Sequence, residues 1–372
     1  MNLLFLDQYS DLGGAQRCFL DAAPALLAHG VTLACGLPGE GPFAAALRAA
    51  RATVYYVPCG PFSHGRKTAA DMVRFLWQFP RATRRIRRLV DRHATGVLYV
   101  NGPRVLAQAA RAVGKECRIL FHCHHRLEHA PAEWLVRRVL RNGRITVVAP
   151  CRFAAEPWLD SIPEGRLHIV PNCSPERPYR DPRERAGAEW RVGIIGRVCP
   201  EKGQAEFLAA ARLLSQSSLQ YRFVVCGAAL FQDRRASEYE ARLAALARGL
   251  PVEFIGWRDD IDPVLRELDL LVVPSQAPEA QPRVILEAFA AGVPVVSVSS
   301  GGILELIGDG LNGFLAPAAE PTLLARRIAA AIAEGRDGLA RVAEQARKRW
   351  ERLHRPAAFQ QRIIEVVESL ER

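Results

Sequence analysis

The sequence lacks a run long and apolar enough to cross a bilayer. One long uncharged stretch, Ala288 to Leu304, is interrupted by Pro294 and by glycines and serines, whereas a span needs ~20 predominantly apolar residues. The opening Met1-Asn2-Leu3-Leu4-Phe5-Leu6-Asp7 has no basic n-region and too short an apolar run for a signal peptide, so a cytoplasmic chain is expected. No two of the nine cysteines stand as C-x-x-C, and their number is odd. Reduced, mostly buried thiols are expected rather than a disulfide framework. Aromatic residues reach only 8%, and no recognisable nucleic-acid module is present, which argues against a nucleic-acid partner. Neither half shows G-x-G-x-x-G after its first strand pattern, which disfavours a dinucleotide dehydrogenase.

The 372 residues are enough for two domains of ~100–200 residues each. Hydrophobic residues make up 49% and charged residues 24%, ordinary for a globular protein. The net charge of +11 implies an anionic partner, whether nucleic acid, anionic membrane or phosphorylated substrate, and charge alone does not choose.

Short buried-strand patterns alternate with helical ones. In the first half the strands fall at Leu3–Leu6, Val31–Cys35, Val54–Val57, Val97–Val100, Arg118–Cys123 and Ile145–Val148. A long basic helix is predicted from about Ala69 to Arg92, bent at Pro80. Pro171 to Glu189, rich in proline and charge, reads as a linker. A second series follows, with strands at Arg191–Ile195, Arg222–Cys226, Val252–Ile255, Leu270–Val273 and Val295–Val298. Such alternation predicts an α/β protein with two Rossmann-like domains and parallel sheets. The expected domains are 1–175 and 188–349, with a C-terminal helical region, 350–372, packing back on the first.

Gly193-Ile194-Ile195-Gly196-Arg197 ends a strand, and Glu201-Lys202-Gly203 opens the next helix. Ligands of open α/β sheets bind at that edge. Two cations beside a helix N-terminus make a diphosphate site, although the same pattern serves a tight turn with two solvated charges. Further on, Glu279 lies in a Pro-rich loop after a strand, and Glu287 about one turn into a helix. Carboxylates so placed can accept hydrogen bonds from sugar and ribose hydroxyls. By spacing alone they also fit a surface loop residue and a helix-dipole partner.

The order Pro274-Ser275…Glu279…Glu287-Ala288…Ala291-Gly292-Val293-Pro294…Gly301-Gly302…Glu305…Gly313-Phe314 resembles the signature of family 4 retaining glycosyltransferases, which have the B-type fold with two facing Rossmann-like domains. Ser10-Asp11-Leu12-Gly13-Gly14, Val170-Pro171-Asn172 and Phe254-Ile255-Gly256-Trp257 resemble the family's glycine loop, interdomain segment and base-binding loop. The resemblance implies transfer of a sugar from a nucleotide-diphosphate donor to a glycan or lipid-linked acceptor, in cell-envelope polysaccharide or glycolipid synthesis. It implies that Arg197 and Lys202 hold the diphosphate, Glu287 the ribose, and Glu279 with Ala280 and Gln281 the transferred sugar. Gly14 would let the first helix approach the phosphate or sugar, and Gly256 and Trp257 would meet the base. Neither metal nor cofactor is implied, because cationic side chains and helix dipoles supply the electrostatics. The chain departs from the family at Gln281-Pro282, where a Phe-Gly-type pair is common, and at Cys151 and Cys173.

Two further features stand out. Phe121-His122-Cys123-His124-His125 ends a first-half strand, where His122 and His124 share one face by the period of two. The family's functional histidine sits at such a strand end, which points to His124 first and His122 second. A metal site of His122, His124 and His129 matches no standard spacing. Within Arg81 to Arg92, the residues Arg81, Arg84, Arg85, Arg88 and Arg92 form one helical stripe. Met72, Leu76, Phe79, Ile86 and Val90 form an apolar one. That pairing fits either docking on the anionic inner face of the cell membrane or a core-facing helix with a solvated back. The competing functions are a nucleotide-sugar epimerase of the same fold and a non-enzymatic polyanion-binding protein.

Overall fold

A computed structural model describes residues 1–60, 69–141, 143–163, 165–229 and 234–370. The last two residues of the expected C-terminal region, 371 and 372, lie outside the described residues. The chain divides into two compact units, Met1–Asn172 with Pro356–Arg372, and Cys173–Arg355.

The first unit is built on a seven-stranded sheet. Its strands are β1 (Asn2–Asp7), β2 (Thr32–Leu37), β3 (Thr53–Tyr56), β4 (Val97–Asn101), β5 (Arg118–His122), β6 (Ile145–Ala149) and β7 (Leu167–Ile169). They run parallel in the order β3-β2-β1-β4-β5-β6-β7. The central strands are buried along their length, as expected where helices cover both faces of a parallel sheet. Register aligns Asp7 with Asn101, and Asn101 with His122, so three polar residues stand side by side at one edge. Beneath them, the rings of Phe5 and Phe19 stack with centroids 3.5 Å apart, and Tyr99 packs against both. The helix Pro356–Ser369 joins this unit against the helix Gly14–Ala28. There Gln360 Nε2 donates to the Asp21 carbonyl at 2.8 Å, and Phe359, Ile363 and Val367 are buried.

The second unit holds six parallel strands, β8 (Glu189–Ile195), β9 (Gln220–Cys226), β10 (Val252–Gly256), β11 (Leu270–Val273), β12 (Val295–Val298) and β13 (Phe314–Ala316). Their order is β10-β9-β8-β11-β12-β13. One face is covered by the helices Gln204–Leu214 and Pro321–Ala333, the other by Arg283–Ala291 and Gly335–Leu353. Trp350 is fully buried in this unit, and its Nε1 donates to Ser174 Oγ at 2.8 Å. Asp269 is buried beneath Arg185 and Arg336 and accepts from the Arg191 backbone N–H at 2.7 Å. A buried carboxylate so surrounded is paired rather than stranded, and it fastens the chain entering β8.

Two sequence readings are corrected. The helix Ala69–Arg92 spans the expected range, with Pro80 inside it. Its apolar residues do not form one core-facing stripe: Met72 and Leu76 are 50% and 63% exposed, joined at the surface by Val73 and Trp77. The buried seam is instead Gln78, Ala82, Ile86 and Leu89, whose spacing of three and four follows the helical period. The strands β7 and β13, each three residues long, have no counterpart among the strands predicted from the sequence. All nine cysteines are free thiols, eight of them buried. Among the described residues no helix is long and apolar enough to cross a membrane.

Candidate active site

In the second unit, β8, β9 and β10 end side by side, bringing Gly196, Gly227 and Gly256 to one edge. Gly196 N donates to the Cys226 carbonyl at 2.9 Å and Gly227 N to the Gly256 carbonyl at 2.8 Å. Arg197 follows β8 after Gly196, and its carbonyl accepts from Gln204 Nε2 at 2.8 Å. Lys202 closes a one-turn 3-10 helix, Pro200–Lys202. Gly203 then reverses the chain at φ 75°, and a Cβ there would lie 2.1 Å from the Pro274 carbonyl oxygen. Only glycine fits both the positive φ and the close approach, so the turn that carries Lys202 is seated on the loop that carries Glu279.

That loop is fixed from two sides. Gln276 N donates to the Glu201 carbonyl at 2.9 Å, and Gly302 N to the Glu279 carbonyl at 2.8 Å. Lys202 Nζ lies 2.6 Å from Glu279 Oε2, and the Ser275 hydroxyl donates to Glu279 Oε1. The side chains of Lys202 and Glu279 are 31% and 23% exposed, respectively. Two residues read from the sequence as phosphate holder and sugar holder are therefore in direct contact. An open cavity of about 540 Å³ borders the same loop, lined by Ser275, Gln276, Ser299, Ser300 and Glu320 among others.

Ala280 is buried and Gln281 half-buried just before the helix Arg283–Ala291. Glu287 lies in that helix and meets Arg177 at 3.5 Å. Arg177 also pairs with Asp262, and its own side chain is 11% exposed. It sits in the segment read only as a linker, where several arginines stand among prolines and no pattern singles this one out. Trp257 is 42% exposed beyond the end of β10, its Nε1 bonded to Asp259 Oδ1 at 3.0 Å.

The first unit gathers a different set. Gly13 caps the helix Gly14–Ala28, and Gly14, its first residue, is exposed. The Gly13 N–H donates to Gln16 Oε1 at 3.1 Å. Gln16 Nε2 donates to the Asp7 carboxylate at 2.9 and 3.1 Å. Asp7 Oδ1 also accepts from Tyr9 N at 2.8 Å, and Oδ2 from Asn101 Nδ2 at 2.5 Å. Burial raises the Asp7 carboxyl to about 6, against the opposing pull of Asn101, Gln16 and two backbone N–H groups.

Asn101 Oδ1 lies 2.6 Å from His124 Nε2. His124 and His122 stack with ring centroids 3.9 Å apart, and His122 Nδ1 lies 2.6 Å from the Tyr99 hydroxyl. Burial lowers His122 to about 3 and holds His124 well below the ordinary histidine range. Both rings are neutral near pH 7. His129 Nδ1 instead accepts from Ala132 N at the start of the next helix. Among the described residues no three histidine, cysteine or acidic side chains converge as metal ligands.

Asp7, Gln16 and Asn101 escaped the sequence reading, although a polar residue closing an otherwise apolar strand marks both Asp7 and Asn101. Arg81, Arg84, Arg88 and Arg92 are exposed along the helix Ala69–Arg92. Arg81 stacks on Trp77 at 3.8 Å. Arg85 is half-buried and bonds the Tyr56 carbonyl.

The chain was compared with known proteins. A family model described as Glycosyltransferase Family 4 matches residues 12–174, and one described as Glycosyl transferases group 1 matches residues 176–349. A lipopolysaccharide 1,2-N-acetylglucosaminetransferase of Salmonella typhimurium is 25% identical over 62% of this chain and 61% of its own length. A 2-deoxystreptamine glucosyltransferase of Streptomyces kanamyceticus is 26% identical over 64% of this chain and 67% of its own. The alignments thus span about three fifths to two thirds of these relatives. Among solved structures, HepE of Anabaena in complex with UDP and glucose has a TM-score of 0.82 at 25% identity, covering 99% of this chain and 100% of that one. A sucrose-phosphate synthase from Thermosynechococcus elongatus has a TM-score of 0.81 at 17% identity, covering 100% and 99%. With both halves matched in order and the two-sheet fold shared, the chain belongs to the group 1, family 4-type glycosyltransferases of the B-type fold.

Proposed function

We propose that this enzyme transfers a sugar from a uridine-diphosphate donor, with retention at the anomeric carbon and without a metal ion, to a glycan or lipid-linked acceptor of the cell envelope. The observation that carries the reading is the contact of Lys202 with Glu279 beside Arg197. A diphosphate offers Lys202 a more highly charged partner than one carboxylate. Once Lys202 turns to it, Glu279 is left, held by Ser275, to accept hydrogen bonds from the sugar hydroxyls. Arg197 and Lys202 then stabilise the charge that develops on the leaving diphosphate, which is where electrostatic catalysis acts. Glu287 takes the ribose hydroxyls, with Arg177 fixing its carboxylate. In the first unit the family resemblance assigns Gly14 and a neutral His124 to the sugar. The uridine donor is supported by HepE, whose structures hold UDP and UDP-glucose. The envelope acceptor is supported by relatives named for lipopolysaccharide and colanic acid synthesis.

The test is a panel of UDP-, GDP- and ADP-sugars, read by thermal shift and by mass spectrometry of donor turnover, with and without EDTA. Stabilisation by UDP-sugars and turnover that survives EDTA are expected. Loss with EDTA, restored by a divalent ion, would remove the metal-independent part of the proposal.

The same reading places the acceptor at the inner face of the cell membrane. The helix Ala69–Arg92 supports this, because its exposed face is apolar over Met72, Val73, Leu76 and Trp77 and basic over Arg81, Arg84, Arg88 and Arg92. Apolar turns exposed among the described residues, followed by arginines, fit an anionic lipid surface.

A further inference from the structure

The first unit carries a hydrogen-bonded chain that donor binding in the second does not call upon. Its centre is Asp7, which is fully buried at the end of β1. An ionised carboxylate accepts hydrogen bonds and donates none. Asn101, held opposite by the strand register, must therefore turn its Nδ2 toward Asp7, where it lies 2.5 Å from Oδ2. Its Oδ1 is thereby left facing His124 Nε2 at 2.6 Å. A neutral imidazole has one donor and one acceptor nitrogen, so His124 carries its proton on Nε2 and keeps a lone pair on Nδ1. On the other side Gln16 donates to the same carboxylate and accepts the Gly13 N–H, tying the glycine turn to the same group.

We infer that Asp7 is the positioning residue of the first unit: through Asn101 it sets the tautomer and ring orientation of His124, and through Gln16 it holds the turn before Gly14. The inference rests on the reading of His124 as a sugar-side group, but its central claim is about a proton position and can be read without any substrate. Asp7 touches no reacting atom. It acts by making one of two amide orientations at Asn101 the only one without an acceptor facing an acceptor.

The relay can be reversed and restored. Asp7→Asn sets an NH2 against the Asn101 NH2, and the conflict is relieved when Asn101 flips. The flipped amide then presents its NH2 to His124 Nε2, which must become the acceptor, and the proton moves to Nδ1. In the double variant Asp7→Asn/Asn101→Asp, the new amide at position 7 donates to the new carboxylate. Tyr9 N–H and Gln16 keep an oxygen at position 7, and the second carboxylate oxygen at position 101 accepts from His124 Nε2 again.

The experiment is long-range proton–nitrogen NMR of protein labelled at histidine, with the His124 signals identified by their loss in His124→Gln and folding checked by thermal melts. Wild type and double variant should show Nε2 protonated, and Asp7→Asn should show Nδ1 protonated. Turnover should fall roughly 10²-fold in Asp7→Asn, mainly in kcat with little change in donor KM, and recover in the double variant. An Nε2 proton that persists in folded Asp7→Asn would overturn the relay, as would a double variant that does not restore it. Tautomers that switch as stated while turnover stays level would uphold the relay and overturn the sugar-side role of His124.

Discussion

Protonation should pull the first unit in two directions, and the replacement Asp7→Asn should separate them. The Asp7 carboxyl is raised to about 6 from an ordinary value of 3.8, by burial. Between those values the folded state holds a proton that the unfolded chain has lost. The stability this contributes is therefore full below about 4 and is lost as pH rises through about 6. Two units at about 1.36 kcal/mol each give roughly 3 kcal/mol. His122 runs the other way. Lowered to about 3 by burial, it is neutral in the fold while the unfolded ring charges below about 6.5, so stability is lost on acidification, and His124 adds to the loss in the same direction. Two histidines against one aspartate leave the unit acid-sensitive, with Asp7 offsetting part of the loss. Asp7→Asn removes the offset. The difference in stability between wild type and variant should shift by roughly 3 kcal/mol in favour of wild type as pH falls from 7 to 4. That shift is a sizeable part of the ~5–15 kcal/mol typical of a domain. Hydrogen exchange of peptides from β1, β4 and β5, followed against pH, confines the measurement to this unit. The hydrogen bonds disturbed by the substitution add a pH-independent offset, so only the slope matters. A difference that stays flat with pH, or shifts toward the variant on acidification, would refute the assignment.

Three further outcomes follow from the second unit and the basic helix. Arg197→Ala and Lys202→Ala should each weaken transfer by roughly 2–4 kcal/mol in the transition state, measured as kcat/KM, and unchanged kinetics in both folded variants would remove the diphosphate assignment. Glu287→Ala should weaken binding of the free nucleotide diphosphate by calorimetry, whereas Glu279→Ala should spare it and lower turnover; equal loss in both would merge the two roles. Liposome co-sedimentation should rise with anionic lipid and fall with salt. It should weaken both in Arg84→Gln/Arg88→Gln and in Leu76→Ser/Trp77→Ser, and equal pelleting with neutral vesicles would point to a soluble acceptor.

Much of the architecture was legible because parallel strands buried on both faces are written as short apolar runs. Residues Leu3–Leu6, Val97–Val100 and Val295–Val298 needed nothing else to be read. The strands β7 and β13 were not legible, since three residues at a sheet edge carry too little pattern to stand apart from a loop. The basic helix misled for a related reason. Its sequence offers two apolar stripes, Met72–Leu76 and Ala82–Ile86–Leu89, and periodicity alone cannot say which one the core takes. In the candidate site, Lys202 and Glu279 were singled out by the family resemblance, but their mutual contact was not. It depends on Gly203 folding the turn against Pro274, a meeting of segments about seventy residues apart. Asp7 and Asn101 are adjacent only through the register of β1 and β4, which no local window contains.

The two units use opposite electrostatics, and each suits the task proposed for it. Lys202 and Glu279 stay partly exposed and paired with each other. A pair of that kind exchanges partners at little cost, because solvent covers the intermediate arrangement. A diphosphate leaving group that arrives and departs in every cycle requires such exchange. Asp7, Asn101 and His122 are buried, and His124 is joined to them by a short hydrogen bond. There a broken contact leaves a polar group unsatisfied at about 1–3 kcal/mol, so the network resists rearrangement and holds one tautomer. A neutral ring of fixed tautomer offers the same nitrogen each time without adding charge. Under the proposed function, exchangeable charges would serve the leaving group and a rigid neutral ring would serve the sugar, as a transfer needs when one charged product must be released and the next sugar still directed.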